Sequence, residues 1–343
     1  MRTTLSSPVA RTSPFLRRKG KAVIDQVLRR EEFKKWPPVL VDIGASGGVH
    51  PEWKRIRRFS VGIAFDADER ELQRAEQQKS DYRTLHVIKA VVSDKKKGST
   101  RFYLTKSPYC SSTLEPDHDA LRQWAFAQLF EVERTVELKS VTLREVLDQS
   151  RVSGIDWFKT DSQGIDLRLF ESLGPQLRKN VLVADFEPGI IDAYRGEDKL
   201  YSVLESMHGP DFWMSDLRIE GSQRVDAEHL GPLLPAFHKR YVQRLIRTSP
   251  GWGEISYLNT LKNSSLQNVR VYLLSWVFAT IKRQHGFALE VAVQGEKKFG
   301  DPVFRKLRED SVSRIKTALW KLPLDKVKQS VDKVVRWVDG VLP

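Results

Sequence analysis

The stretch Val39–Gly48 reads Val-Leu-Val-Asp-Ile-Gly-Ala-Ser-Gly-Gly and constrains the fold of this chain more than any other. Its apolar start follows Pro37 and Pro38 and runs into a glycine cluster. That pattern predicts a buried strand feeding a tight loop. Gly44, Gly47 and Gly48 allow positive φ and a close approach of backbone to a ligand. Some twenty residues on, Val61–Asp68 is a second apolar run that ends in acid, at Asp66 and Asp68. In a doubly wound α/β sheet, an acid at the tip of the second strand is placed to accept hydrogen bonds from ribose hydroxyls.

The loop therefore predicts a nucleoside cofactor, and its chemistry narrows the choice. The dinucleotide fingerprint G-x-G-x-x-G holds a pyrophosphate on a helix N-terminus. Here Ser46 stands where the second of those glycines belongs, and Asp42 leads into the loop. A carboxylate at that place repels a pyrophosphate and suits a cation. S-adenosyl-L-methionine carries a sulfonium, an ammonium and a ribose, and no phosphate. The expected cofactor residues are Asp42, Gly44, Ala45, Ser46, Gly47 and Asp66, with Ser93 and Asp94 at the end of a third strand, on the adenine side.

The rest of the chain reads as an α/β domain with helical additions. A basic extension over 1–36 is expected to be partly disordered and then helical, the cofactor domain covers 37–225, and a basic helical extension covers 226–343. Further strands are expected over Leu85–Val92, Thr100–Thr105, Val132–Val141, Ile155–Lys159 and Val181–Asp185, and a strand pair over Phe212–Leu217 and Arg218–Val225. Helices are expected over His50–Arg58, Glu69–Lys79 and Tyr201–Met207, and over Thr142–Asp148 with a Thr142/Glu145 capping box. The helix after Gly164 is expected to expose Asp166 and Arg168. In the last third, Phe237–Arg247 reads as a basic helix, Ser249–Gly253 as a turn and Leu266–His285 as an apolar helix.

Charge and cysteine content bound the function classes. The net charge of +13 lies on the flanks: 10 Lys and Arg against 3 Asp and Glu in 1–36, 16 against 8 in 261–343, and 31 against 33 in between. A nucleic-acid enzyme gathers positive charge around its site, so no nucleic acid is expected. Basic flanks with tryptophans suit solvated helix faces, core packing, a homodimer interface, or peripheral contact with an anionic membrane. The single cysteine, Cys110, excludes an internal disulfide. No apolar run reaches bilayer length and no signal-peptide core is present, so the expected location is the cytoplasm or the inner face of its membrane.

The chemistry-bearing residues gather in a second stretch. Lys159-Thr160-Asp161-Ser162-Gln163-Gly164 follows a strand, so Asp161 lies at a carboxyl end where open α/β sheets bind ligands. With a hydroxyl as acceptor, which the family resemblance named next implies, Asp161 is the expected base or hydroxyl-polarising group, with Lys159 orienting the acceptor. An ordinary aspartate is a weak base for an alcohol, so burial or a metal has to help. Asp161, Asp185 and Glu187, with Gln163 as a carbonyl ligand, form a candidate Mg2+ set; the alternative is that Asp185 and Glu187 cap loops or bind sugar hydroxyls. The histidines show no metal-ligand spacing.

Taken in order, Val41–Gly48, Phe65-Asp66-Ala67-Asp68, Val141–Leu147 and Lys159–Asp166 resemble the FkbM family of class I S-adenosylmethionine-dependent methyltransferases. The resemblance covers about 39–225. It implies a Rossmann-like, mostly parallel seven-stranded sheet with an antiparallel edge. It also implies O-methylation of a hydroxyl, on a sugar of a glycan or glycolipid or on a small secondary metabolite. Gln163 stands where the family usually has glutamate, and Asp66-Ala67 where it often has Glu-Pro. The competing readings are an NAD(P)-dependent sugar-modifying enzyme, against which stand Ser46 and the lack of a Tyr-x-x-x-Lys pair, and a non-catalytic membrane-associated scaffold.

Overall fold

The computed structural model describes residues 22–45, 48–68, 74–226, 228–229 and 247–319. Ser46, Gly47, most of Phe237–Arg247 and the residues beyond 319 lie outside them, as does the start of the helix expected at Glu69. The described residues fall into two compact units, one within 28–267 and one formed by 22–27 with 268–319.

The larger unit is α/β. Its strands are β1 (Val39–Ile43), β2 (Val61–Asp66), β3 (Thr84–Lys89), β4 (Val91–Val92), β5 (Ser99–Thr105), β6 (Val132–Val141), β7 (Trp157–Thr160), β8 (Val183–Phe186), β9 (Phe212–Ser222) and β10 (Ser249–Asn259). Seven of them form one sheet in the order β3-β2-β1-β7-β8-β10-β9. The five strands from β3 to β8 pair in parallel, and β10 runs antiparallel to both β8 and β9. The order reverses at β1, so the carboxyl ends of β1 and β7 open a crevice between them, where sheets of this kind bind ligands. A second sheet, β4-β6-β5, stands apart.

One face of the main sheet is the core. Val41, Ile43, Phe158, Ala184 and Phe186 pack with residues of α1 (Leu143–Gln149) and α2 (Asp166–Ser172). A fully buried ring such as Phe158 or Phe170 contributes about 1.5–3 kcal/mol. The opposite face carries a polar row. Asp42, Lys159 and Asp185 are register partners across β1, β7 and β8, so they share a face.

Several boundaries differ from the sequence reading. The strand pair expected within 212–225 is the single strand β9, and its partner β10 arises from the segment read as a turn. Pro250 lacks the N–H a regular ladder needs, and a register shift between Pro250 and Trp252 accommodates it. The sheet therefore extends beyond 225. The third strand breaks at Ala90, and β4 leaves for the second sheet. His50–Arg58 forms two 3-10 turns, Pro51–Arg55 and Arg57–Phe59, in place of an α-helix.

The smaller unit contains α4 (Val269–Ile281), α5 (His285–Phe299) and α6 (Val303–Leu319), following α3 (Leu200–Ser206) of the larger unit in chain order. Trp276 Nε1 donates to Ser311 Oγ at 2.9 Å, and Phe304 packs over Gly295. Among the described residues no helix is long and apolar enough to cross a membrane.

Candidate functional site

The carboxyl ends of β1, β2 and β7 meet in a cleft lined by Gly44, Asp66, Asp68, Asp161 and Gln163, with Tyr109 and Thr113 from the loop after β5. Ala90, Val91 and Val92 supply an apolar wall. Three carboxylates and no Lys or Arg stand among its described lining residues.

Gly44 sits at φ +76°, and a Cβ there would meet the Asp161 carbonyl oxygen at 2.1 Å. Only glycine lets the β1 and β7 exits run this close. Its N–H and that of the buried Ala45 both donate to the Phe65 carbonyl, which draws the tip of β1 onto β2. Asp42 is buried beneath the loop, accepts the His50 N–H at 2.7 Å and pairs with Lys159 Nζ at 3.1 Å. Asp42 therefore shapes the loop from below. At the second strand end, Asp66 accepts the Asp68 N–H at 2.8 Å and lines the cleft.

Lys159 is committed as well. Its Nζ donates to the Gly44 carbonyl at 3.3 Å and lies 3.9 Å from Asp161 Oδ2. Burial opposes its charge, but Asp42, Asp161 and Glu187 outweigh that effect and hold its pKa above the usual lysine range. It is a fixed ammonium that ties together the loop, β1 and Asp161.

Asp161 is held in place by its neighbours. Gln163 takes φ +58° and Gly164 φ +115°, a tight reversal that folds the Gln163 side chain back. Gln163 Nε2 donates to Asp161 Oδ1 at 2.5 Å, and Gln163 Oε1 accepts from the Tyr194 hydroxyl at 2.9 Å. A glutamate at 163 could not donate in this way when ionised. Asp166, expected on the surface, is buried. It accepts from Thr160 Oγ1 at 3.0 Å, the Ser162 N–H at 2.8 Å and the Glu187 N–H at 2.8 Å, and so pins the exits of β7 and β8 together. Burial is the main cause that raises its pKa. Glu187 lies in the same electrostatic neighbourhood. Burial and then the Asp161 charge push its pKa well up, against the pull of Lys159.

The other expected residues fall elsewhere. Ser93 Oγ donates to the Lys95 carbonyl at 2.7 Å and shares a 2.6 Å hydrogen bond with Ser140, so its hydroxyl serves the second sheet. Neither Ser93 nor Asp94 lines the cleft; Ala90–Val92 take that place. Ser46 and Gly47 lie outside the described residues.

The Asp161, Asp185 and Glu187 metal set is not assembled. Asp185 turns to the polar face of the sheet, where it accepts from Trp157 Nε1 at 2.7 Å and Ser256 Oγ at 2.6 Å. β8 ends at Phe186, so strand alternation does not carry on to Glu187. Among the described residues, the His, Cys, Asp and Glu side chains close enough to share an ion are His50, Glu52 and Asp185.

Sequence reasoning missed His50, Glu52 and Tyr194. The His50-Pro51-Glu52 triplet after the glycine loop was the one available signal for the first two. Cys110 is buried, which pushes its thiol up to about 12 and leaves it inert as a nucleophile. No family model matches this chain, and no curated protein matches it in sequence.

Proposed function

We propose that the chain is an S-adenosyl-L-methionine-dependent O-methyltransferase of FkbM type, acting on a hydroxyl of a sugar in a glycan or glycolipid. The observation that carries this reading is the charge of the cleft: Asp66, Asp68 and Asp161 line it without a lysine or arginine among the described residues. Such a wall attracts a cationic cofactor and repels the pyrophosphate of a dinucleotide. The seven-stranded sheet with its reversed strand β10 supports the same reading, since the methyltransferase resemblance calls for an antiparallel edge. In this account Asp66 holds the ribose, Gly44 gives the cofactor close access to backbone, and Val91 and Val92 flank the adenine.

The cofactor supplies an electrophilic methyl group on a sulfonium. The chain's task is to aim a hydroxyl at it and take the proton. Asp161 is the acceptor-facing carboxylate, oriented by Gln163 and, through Gln163, by Tyr194. Glu187, its pKa raised by burial and by Asp161, holds a proton more tightly than an ordinary glutamate, which limits repulsion beside Asp161. Lys159, held charged by Asp42 and Asp161, fixes the Asp161 side of the site.

Asp161→Asn keeps size and hydrogen bonding and removes the base. It is expected to bind cofactor more weakly, since one of the three cleft carboxylates is lost, and at saturating cofactor to lose about 10²–10⁴-fold in turnover. Transfer of labelled methyl groups to a panel of glycans and hydroxylated small molecules measures this. Undiminished transfer by the variant would remove Asp161 from the mechanism.

A further inference from the structure

The polar face of the sheet carries a second cluster that the proposed reaction does not use. His50, Glu52 and Asp185 each present one ligand atom, and the three lie within 4.8 Å of one another. His50 Nε2 is buried without a hydrogen-bond partner among the described residues. It stands 3.6 Å from Glu52 Oε2 and 4.0 Å from Asp185 Oδ2, too far for a hydrogen bond to either. Two tryptophans enclose the imidazole, with ring centroids 5.5 Å (Trp53) and 6.2 Å (Trp157) from it. Trp53 is fully buried, and its indole nitrogen also lacks a hydrogen-bond partner among the described residues.

We infer that His50, Glu52 and Asp185 form a binding site for one divalent cation of the Zn2+, Mn2+ or Co2+ class. Metal bonds of about 2.0–2.2 Å leave donor atoms up to about 4.4 Å apart across one ion. Both separations from His50 fall within that limit, so an ion satisfies the imidazole and both carboxylates with little movement. Asp185 has the outer support that ligating carboxylates need, from Trp157 Nε1 at 2.7 Å and Ser256 Oγ at 2.6 Å. One imidazole with two carboxylates favours borderline metals over Ca2+, which takes oxygen ligands alone. Three protein donors also leave coordination positions open to water or a substrate oxygen. None of the three residues lines the acidic cleft, so this site stands whether or not the chain transfers methyl groups.

The test uses the full chain, stripped with a chelator and titrated with Co2+ and with Mn2+ by calorimetry and by the visible absorption of bound Co2+. The wild type is expected to bind one equivalent, with quenching of tryptophan fluorescence by Co2+ and a rise in Tm. His50→Ala, Asp185→Asn and the milder Glu52→Gln are each expected to weaken binding by at least about tenfold and to lose the quenching. Glu52→Gln decides the matter if the other two fail to fold. The inference is overturned if the wild type binds neither ion at millimolar concentration. It is equally overturned if the folded variants bind as the wild type does.

Discussion

Gly44 and Asp161 show how a single residue fixes the site. A side chain at 44 cannot coexist with the Asp161 carbonyl 2.1 Å from its Cβ, and φ +76° adds backbone strain. Gly44→Ala is therefore expected to lose about 1–3 kcal/mol in urea unfolding, together with cofactor affinity. An alanine variant of wild-type stability would contradict the close packing of β1 on β7. The glycine was legible in the sequence because a strand followed by glycines has few other meanings. The roles of Asp42 and Lys159 were not, because contact between β1 and β7 turns two candidate site residues into a buried ion pair. The pairing of Asp185 with Glu187 was misread for a related reason. Spacing gives alternation along a strand but not the residue at which the strand stops.

Among the elements, α1 was readable almost to the residue. Thr142 accepts the Glu145 N–H at 3.3 Å and Glu145 accepts the Thr142 N–H at 3.0 Å, the reciprocal pair of a capping box. Thr142→Ala is expected to cost about 1 kcal/mol in denaturant unfolding. Lys96, 2.8 Å away, and the two Thr142 hydrogen bonds lower the Glu145 pKa to about 2. That contribution is present above the ordinary glutamate pKa and disappears as pH falls through about 2. Glu145→Gln is expected to remove this part of the acid sensitivity; an unchanged acid-unfolding curve would count against the box. β9 and β10 were not readable in this way. Their pairing spans a long intervening segment, and the Ser-Pro-Gly-Trp-Gly start of β10 carries turn residues that tertiary pairing overrides.

At the scale of the whole molecule, one buried group in each unit, His285 and Glu187, responds to pH in the opposite sense to the other. In the helical unit, burial and then Arg314 lower the His285 pKa to about 4. A histidine held neutral in the fold contributes stability above its unfolded pKa of 6.5 that is lost as pH falls toward about 4. In the sheet unit, Glu187 has a raised pKa, so its contribution is full below the ordinary value of 4.5 and is lost as pH rises through the raised value. Intrinsic-rate-corrected hydrogen exchange is expected to show α4–α6 less protected at pH 5 than at pH 8, and the β7 and β8 exits more protected. His285→Gln and Glu187→Gln should each flatten its own unit's change, and protection moving alike in both units would contradict the assignment. The reading of the cleft as a cationic-cofactor site is tested most directly by titrating the full chain with S-adenosyl-L-methionine and with NAD in a calorimeter. The account predicts one equivalent of S-adenosyl-L-methionine bound, no NAD, and affinity lost in Asp66→Ala. Binding of NAD alone, or of neither, would contradict it.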